Sequence, residues 1–386
     1  MRRWLPPLSI ASSFQIVTSA ADMAVPVLAP IITSSTGVPA AYVGHYASAV
    51  SAGAVVFFLL GINTVHRLGA IRALQTGTLV CAFALAIMLV GHWTSILMAG
   101  FLIGLGFGTN VPAGGIILRD VVPSNRLRLA FSLKQAGVPL GTILVAMTLP
   151  AMAEFWGWRI AILAVSALCL IMALLASIFH QAPSSIEQYP TRGIVADFRI
   201  FRELACKRLV RRFVIAGALL AIAQGSVNAF LVTYLVASLD YSHVLAGGIY
   251  SLFHLVGIPG RILSGWLADL RFLRSRMLVV LALASAVMIC AIALLGPESE
   301  VALVIATLVL LGLLICSWNG VLLAEISDVV PKEQIAEAHS LAAIGMFSGF
   351  VVGPIIFAEV SVTAGDFRLA LFTMAFSMAV SAAVVP

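Results

Sequence analysis

The sequence predicts an all-α polytopic membrane protein in which twelve transmembrane helices form two pseudo-symmetric six-helix bundles. Three observations lead to this fold class: the composition, the succession of apolar runs, and an internal repeat. Hydrophobic residues make up 61% and charged residues 10% of the 386 residues, and the mean hydropathy is +1.10. Soluble globular chains carry about 25% charged residues, so this composition indicates that lipid surrounds most of the chain.

Twelve apolar runs are separated by polar or charged clusters, and a run of about 20 residues is long enough to cross the hydrocarbon core. Backbone groups in lipid must bond within their own segment, so runs of this length predict helices. They use nearly the whole chain and leave no room for a separate catalytic domain. The predicted spans are 8–32, 41–65, 73–91, 95–118, 128–153, 159–180, 210–238, 244–266, 276–296, 301–325, 337–361 and 368–386.

The start of the chain resembles a secretory signal, because Arg2 and Arg3 precede an apolar run. That run continues through Asp22 to about Ile32, which is long enough to span the bilayer. We therefore expect it to be the first transmembrane helix and not a cleaved signal.

Basic residues are concentrated on one side of the predicted membrane, and only Arg159 and Arg368 fall opposite. This asymmetry predicts a multi-pass protein of the bacterial inner membrane with both termini in the cytoplasm. It also explains the net charge of +6 without a nucleic-acid-binding surface. The five cysteines are widely spaced and show neither metal-ligand nor disulfide spacing, so no metal or cofactor is expected.

An internal repeat supports the division into two bundles. Residues 120–123 read Asp-Val-Val-Pro, and 208 positions later residues 328–331 read the same. At that offset Gly137 aligns with Gly345 and Gly141 with Gly349. Both halves keep the same order, which predicts parallel topology about an axis along the membrane normal. The predicted divisions are an N-terminal bundle at 1–180, a cytoplasmic linker at 181–209 and a C-terminal bundle at 210–386.

A loop motif resembles the signature of the major facilitator superfamily of secondary transporters. Residues 265–269 read Gly-Trp-Leu-Ala-Asp and are followed by Arg271, Arg274 and Arg276. This is similar to the family's Gly-x-x-x-Asp-Arg-x-Gly-x-(Arg/Lys), and the resemblance covers essentially the whole chain. The run Gly137-x-Pro139-x-Gly141 resembles the family's helix 5 motif, which is often linked with antiporters.

The first-half copy of the signature departs from the family pattern. Ile62 replaces the glycine and His66 replaces the aspartate, whereas Arg67 and Gly69 remain and Arg72 lies one place late. The resemblance implies that charges at the cytoplasmic ends latch the two bundles, although they could equally serve only to fix topology. The implied gate residues are Arg67, Arg72, Asp120, Asp269, Arg271, Arg274 and Asp328.

Ionisable side chains at membrane depth are functional candidates, because each costs about 2.5–3.5 kcal/mol on insertion scales. Lys134 is the most informative, since its counterpart in the repeat is Ala342 and the fold therefore does not require a cation there. We expect it to contact a substrate or a partner; alternatively it snorkels or pairs with a carboxylate. Asp22 is a candidate partner or proton carrier, or else a structural carboxylate. The candidate proton-coupling residues are Asp22, His254 and Glu325.

Family resemblance places helices 1, 4, 7 and 10 around a central cavity, with helices 2, 5, 8 and 11 contributing. Each uncharged polar residue at this depth could equally serve as interhelical glue. Arg119 and Arg261 lie near the cytoplasmic side and are interpreted as gate or topology residues. The candidate substrate-binding residues are Lys134, Gln135, Asp22, Asn110, Gln224, Asn228, His254, Tyr250, Trp318 and Asn319, and Gln15, His45 and Tyr234 lie at similar depth.

Two transport hypotheses and one from another class follow. The first is proton-coupled or exchange transport of a small organic anion by alternating access, for which Lys134 is the main support. The second is efflux of amphipathic or cationic compounds through Asp22. The third, a membrane enzyme or receptor, lacks support, because the sequence contains no HExxH, GxSxG or phosphate-loop motif. The expected partners are a small-molecule substrate with or without protons and the lipid bilayer, with no nucleic acid, and the expected state is a monomer.

Overall fold

The structure is a computed structural model that describes residues 5–123, 126–178, 202–268, 276–331 and 334–386. Lipid offers the backbone no hydrogen-bond partners, so apolar segments of this length satisfy their N–H and C=O groups by forming helices. The first nine helices, α1 to α9, are Leu5–Thr36, Val43–Val56, Ile62–Leu68, Ala70–Met88, Trp93–Gly108, Asn110–Val121, Leu127–Gln135, Gly137–Trp156 and Trp158–Ile178. The later helices, α10 to α16, are Arg208–Ala237, His243–Ala268, Met277–Ala293, Val301–Ile315, Trp318–Asp328, Ile335–Ala364 and Arg368–Val384.

Every predicted span coincides with helix. In the described ranges ten helical spans are long and apolar enough to cross a membrane, and the shorter apolar helices α12 and α16 occupy the ninth and twelfth predicted spans. A π-helical turn, Phe57–Gly61, joins α2 to α3. The prediction of an all-α polytopic membrane protein is confirmed.

The chain divides into two compact units. Unit 1 comprises Met1–Pro39 and Ala49–Thr191, and unit 2 comprises Ala40–Ser48 and Arg192–Pro386. In unit 1, α1 packs on α8, and α4 packs on α5 and α9. In unit 2, α10 packs on α15, and α12 packs on α13 and α16 in the same order. The two units therefore share one packing scheme, as the sequence repeat predicts.

The segment Ala40–Ser48 groups with unit 2, although the predicted boundary placed it in the N-terminal bundle. The Ser48 hydroxyl donates to the Val351 carbonyl at 2.6 Å. His45 Nε2 lies 3.5 Å from a carboxylate oxygen of Glu359. These contacts to α15 account for the grouping.

Glycines of the repeat lie at close contacts between helices. Gly141 of α8 lies directly against the Ile16 carbonyl of α1, and Gly349 of α15 lies in the same way against the Ala218 carbonyl of α10. Small residues permit such contacts between membrane helices. Residue 218 therefore corresponds to residue 16, and in the same register Gln224 corresponds to Asp22.

Gly141→Ala is expected to lower the free energy of unfolding by about 1–3 kcal/mol, because the new Cβ would collide with backbone that cannot rotate away. Gly248→Ala is the matched control, since its Cβ would meet no atom within 4 Å. The midpoint of denaturation of the purified protein measures both. Equal midpoints for the two variants would contradict the proposed contact.

Candidate functional site

Three spans that the sequence analysis treated as continuous are broken. The α5/α6 break lies at Thr109, the α7/α8 break at Ala136, and the α13/α14 break at Cys316 and Ser317. Discontinuous helices often form the substrate and ion sites of secondary transporters. The residues beside the breaks are therefore candidates for such a site.

A proline follows each break in unit 1 at the same spacing, although Pro26, Pro30, Pro150, Pro259 and Pro354 lie inside unbroken helices. Proline has no N–H to donate to the carbonyl four residues earlier, and its ring clashes with that carbonyl. Pro112 stands four residues after Gly108, where α5 ends, and Pro139 stands four residues after Gln135, where α7 ends. Helical hydrogen bonding resumes one residue later, where the Ala113 N–H donates to the Thr109 carbonyl and the Leu140 N–H donates to the Ala136 carbonyl.

Side chains of α11 bond the carbonyls at the unit 2 break. Arg261 Nε donates to the Cys316 carbonyl at 2.9 Å, and the Ser264 hydroxyl donates to the Ser317 carbonyl at 3.1 Å. Arg261 was predicted to be a gate or topology residue. In the structure its bond to the Cys316 carbonyl lies inside unit 2, just before the start of α14.

Lys134 is buried inside unit 1, with 2% of its surface exposed. Its Nζ donates to Gln15 Oε1 of α1 at 2.9 Å. Its carbon chain packs on Gly114 of α6, where a Cβ would collide with it. Lys134 lies in the last turn of α7, where the helix dipole favours a cation.

Asn110, the first residue of α6, is fully buried beside α1. Its Nδ2 donates to Thr18 Oγ1 at 2.9 Å and to the Phe107 carbonyl at 3.1 Å. Among the described residues its Oδ1 has no hydrogen-bond partner. Thr18, which accepts the Nδ2 bond, was not among the predicted site residues.

Gln15, Thr18 and Asp22 follow one stripe of α1, because residues three and four apart share a helix face. We call these three residues the unit 1 polar stripe. Gln15 binds Lys134 and Thr18 binds Asn110, so the stripe faces α6 and α7. Asp22 is half-buried at its far end. The spacing alone would have identified Thr18 as a member.

In unit 2, polar residues of α10 and α11 are joined directly. The Tyr250 hydroxyl donates to the Asn228 carbonyl at 2.8 Å. The His254 ring stands edge-on to the Tyr250 ring, with centroids 4.6 Å apart. The Tyr250 hydroxyl bond therefore holds α11 against α10.

The helix break joins this group through Cys316. Gln224 Nε2 lies 3.9 Å from Cys316 Sγ, and Cys316 also faces Gly257, one turn beyond His254. We call Gln224, Asn228, His254 and Trp318 the unit 2 polar cluster. Within the described chain, four of its buried atoms have no hydrogen-bond partner: Gln224 Oε1, Asn228 Oδ1, His254 Nε2 and Trp318 Nε1.

Equivalent positions in the two units carry different chemistry. Asn110 and Trp318 are 208 positions apart and each begins the helix after a break. Lys134 corresponds to Ala342, which is also buried, and there α15 runs unbroken. Unit 1 therefore presents a cation and a carboxylate where unit 2 presents neutral groups.

Other predicted site residues lie apart from these groups. Gln135 is exposed, because the next residue on a helix turns by about 100° from Lys134. Asn319 and Glu325 are half-buried. His45 belongs with Glu359, as described above. The Tyr234 hydroxyl donates to the Ile292 carbonyl at 2.7 Å. Tyr234 also contributes to the lining of a small apolar cavity among α10, α12, α13, α15 and α16.

The structure describes only some of the predicted gate residues. Asp269, Arg271 and Arg274 lie outside the described residues, as does the side chain of Asp120. Arg67, Arg72 and Asp328 are exposed at helix ends. In the described part of the chain no three His, Cys, Asp or Glu residues are grouped to hold a metal ion.

Solved structures with the same fold are transporters. A bacterial homolog of the human lysosomal transporter Spinster, in an inward-facing and occupied conformation, matches with a TM-score of 0.79 at 14% identity over 98% of this chain and 95% of that one. The nucleoside transporter NupG matches with a TM-score of 0.81 at 16% identity over 98% of both chains. These similarities establish the fold.

Curated relatives match over part of their length. The monocarboxylate transporter 12-B of Danio rerio is 28% identical over 205 residues, which are 45% of this chain and 42% of that one. An uncharacterized MFS-type transporter of Mycobacterium tuberculosis is 24% identical over 302 residues, which are 77% of this chain and 65% of that one. This chain thus aligns with less than two thirds of either relative.

The family model described as Major Facilitator Superfamily matches residues 11–354. That range includes both breaks of unit 1, the break of unit 2, the unit 1 polar stripe and the unit 2 polar cluster. The chain belongs to the Major Facilitator Superfamily, whose members are secondary transporters and not enzymes.

Proposed function

We propose that this chain is a secondary active transporter that moves a small organic anion by alternating access, coupled to protons or by exchange. The observation that carries the proposal is the burial of Lys134 on the polar stripe of α1, with no cation at the equivalent Ala342. Burying a cation costs free energy, and the alanine at the equivalent position shows that helix packing does not require one. We therefore infer that Lys134 is kept to bind a ligand.

The chemistry of the site favours an anion. Gln15 supplies a neutral oxygen to Lys134 Nζ, so their bond leaves the positive charge uncompensated at that contact. An ammonium has three donors and accepts nothing, so it can hold Gln15 and a substrate carboxylate together. The Asn110 amide hydrogens are already donated to Thr18 and to the Phe107 carbonyl, so the anion is assigned to Lys134.

The names of several relatives support an anionic substrate. One is a monocarboxylate transporter, one is a gentisate transporter of Corynebacterium glutamicum that is 30% identical over 96 residues, and one is a probable hexose phosphate transport protein of Chlamydia trachomatis. Each name specifies an anion. The matched segments are short, so they add weight to the charge argument without replacing it.

Asp22 is the proposed proton carrier, because it ends the polar stripe one turn beyond Thr18. A carboxyl group can both take up and release a proton, which coupling requires. His254 and Glu325 are proposed as further proton-coupling groups. The gate residues retain the roles that family resemblance implied.

The second candidate function is efflux of amphipathic or cationic compounds. The observation in its favour is Asp22 itself, half-buried in α1 and flanked by apolar residues. In that case the carboxylate would bind the cargo directly. For either function we propose a monomer in the bacterial inner membrane with both termini in the cytoplasm.

Transport by the purified chain in proteoliposomes tests the proposal. Vesicles are given radiolabelled benzoate, lactate, tetraphenylphosphonium or glucose, with and without an imposed pH gradient, and protein-free vesicles serve as the control. We expect uptake of at least one carboxylate. Uptake confined to tetraphenylphosphonium and lost in Asp22→Asn would establish the second function instead.

A further inference from the structure

Gly114 of α6 makes room for a charged side chain, whereas Gly53 of α2 and Gly104 of α5 make room for backbone. A Cβ at either of those two glycines would collide with a carbonyl of the neighbouring helix. A Cβ at Gly114 would instead lie 2.9 Å from Lys134 Nζ and 3.1 Å from its Cδ, and closer still to its Cε. The absent side chain at position 114 therefore leaves space for the charged end of Lys134.

The Lys134 ammonium lies between α6 and α1. Its Nζ donates to Gln15 Oε1 of α1 at 2.9 Å, on the side away from its own helix. Gln15 is held in turn by Gly137 of α8, where a Cβ would lie 3.1 Å from both Cβ and Cγ of Gln15. A lysine side chain is a flexible four-carbon stem, so its neighbours decide where the charge lies. Gly114 and Gln15 together fix that place.

Unit 2 packs the equivalent layer with the residue sizes exchanged. In the register of the repeat, Gln15, Gly114 and Lys134 correspond to Gly217, Leu322 and Ala342. Leu322 is fully buried, and a Cβ at Gly217 would lie 2.5 Å from its Cδ2. Protein interiors are closely packed, so a glycine that accompanies the lysine and a leucine that accompanies the alanine indicate one shared space.

We propose that Gly114 is a positioning residue of the anion site, because the space beside its α-carbon lets the Lys134 ammonium lie against Gln15. The inference rests on the proposed function, since it assigns the substrate anion to Lys134. It adds a requirement on α6: a methyl group at position 114 displaces the cation without removing it. The apolar layer of unit 2 has neither the cation nor the space for one.

Equilibrium binding to the purified full chain tests the role of Gly114. The ligands are benzoate with benzamide and lactate with lactamide, so each pair compares a carboxylate with its neutral amide. The preference for the carboxylate should fall about tenfold or more in Gly114→Ala, because interactions with a positioned group weaken steeply when it is displaced by about 1 Å. A purely structural effect would weaken both members of a pair equally.

Gly115→Ala is the matched control. It adds the same methyl group to the next residue of α6, where the nearest atom to the Cβ would be Cζ of Phe131 at 4.0 Å. Both variants gain the same helix propensity, so their difference isolates the contact with Lys134. Gly115→Ala should keep the wild-type preference for the carboxylate.

The double variant Gly114→Ala/Lys134→Ala decides the question if Gly114→Ala fails to fold. It places at position 134 the residue that stands at the equivalent position 342, and it removes the side chain with which the new methyl group collides. Its midpoint of denaturation should therefore be higher than that of Gly114→Ala. A double variant that is equally unstable would place the collision elsewhere and overturn the positioning role.

The outcomes separate the two proposals. A carboxylate preference that is lost in Lys134→Met and kept in Gly114→Ala would overturn the positioning role of Gly114 alone. A preference that Gly114→Ala and Gly115→Ala reduce equally would overturn it as well. Failure of the wild type to bind any of the carboxylates, or a preference unchanged in Lys134→Met, would instead remove the proposed function.

Discussion

Lys134→Met is expected to reduce carboxylate uptake by about 100-fold or more while the protein stays folded. Removing one partner of a desolvated charge interaction costs roughly 2–5 kcal/mol, and each 1.4 kcal/mol is tenfold. The equivalent Ala342 shows that the helix packs there without a cation. Methionine fills the space against Gly114 with a similar unbranched chain. The measurement is the initial uptake rate in proteoliposomes.

Lys207→Met is the matched control. Lys207 is an exposed lysine at the start of α10, and its Nζ donates to Gln334 Oε1. It makes the same chemical change outside the site and should leave the uptake rate within about twofold. Wild-type uptake by Lys134→Met would show that the cation does not serve the substrate.

Gln15→Leu is expected to destabilise the protein by about 2–4 kcal/mol, because it leaves the buried Lys134 ammonium without its bonded oxygen. Adding Lys134→Met to the same chain should restore most of the loss, since no charge then remains to satisfy. The free energy of unfolding from denaturant titration measures both variants.

This rescue shows whether Gln15 stabilises the protein through its hydrogen bond to Lys134 or through packing alone. Gln15 also lies against Gly137 of α8, so the leucine variant retains the apolar contact. If the double variant were as unstable as Gln15→Leu alone, the lost stability would belong to that helix contact and not to the lysine. The two residues should therefore couple strongly in a double-mutant cycle.

The helices were predictable from sequence because lipid permits few alternatives to a helix. Apolar runs located all twelve spans, and the repeated Asp-Val-Val-Pro predicted that Gly141 and Gly349 occupy equivalent places. In the structure both glycines lie against a carbonyl of the first helix of their half. Hydrophobicity and repetition thus determine most of the fold.

The helix breaks were not predicted, and for two different reasons. Pro112 and Pro139 each follow a break by four residues. Pro150 and Pro354 lie inside unbroken helices, so a proline alone does not identify a break. The break at Cys316 has no proline after it at that spacing. Its carbonyl is bonded by Arg261, a residue distant in sequence that only the packing of α11 brings near.

The site was predictable in its charged members and less so in its neutral ones. Lys134 was identified because burying a cation is costly and the repeat provides a comparison. Gln135 beside it was expected to bind and is exposed. Thr18 was missed because a threonine inside an apolar helix carries no composition signal, although its spacing from Gln15 and Asp22 places it on their face.

The central claim is that Lys134 recognises the negative charge of the substrate. Its most direct test compares a carboxylate with its neutral amide, such as 3-hydroxybenzoate with 3-hydroxybenzamide, in equilibrium binding to the wild type and to Lys134→Met. We predict that the wild type prefers the carboxylate by about 100-fold and that the variant binds both equally. A preference that is undiminished in the variant would contradict the claim.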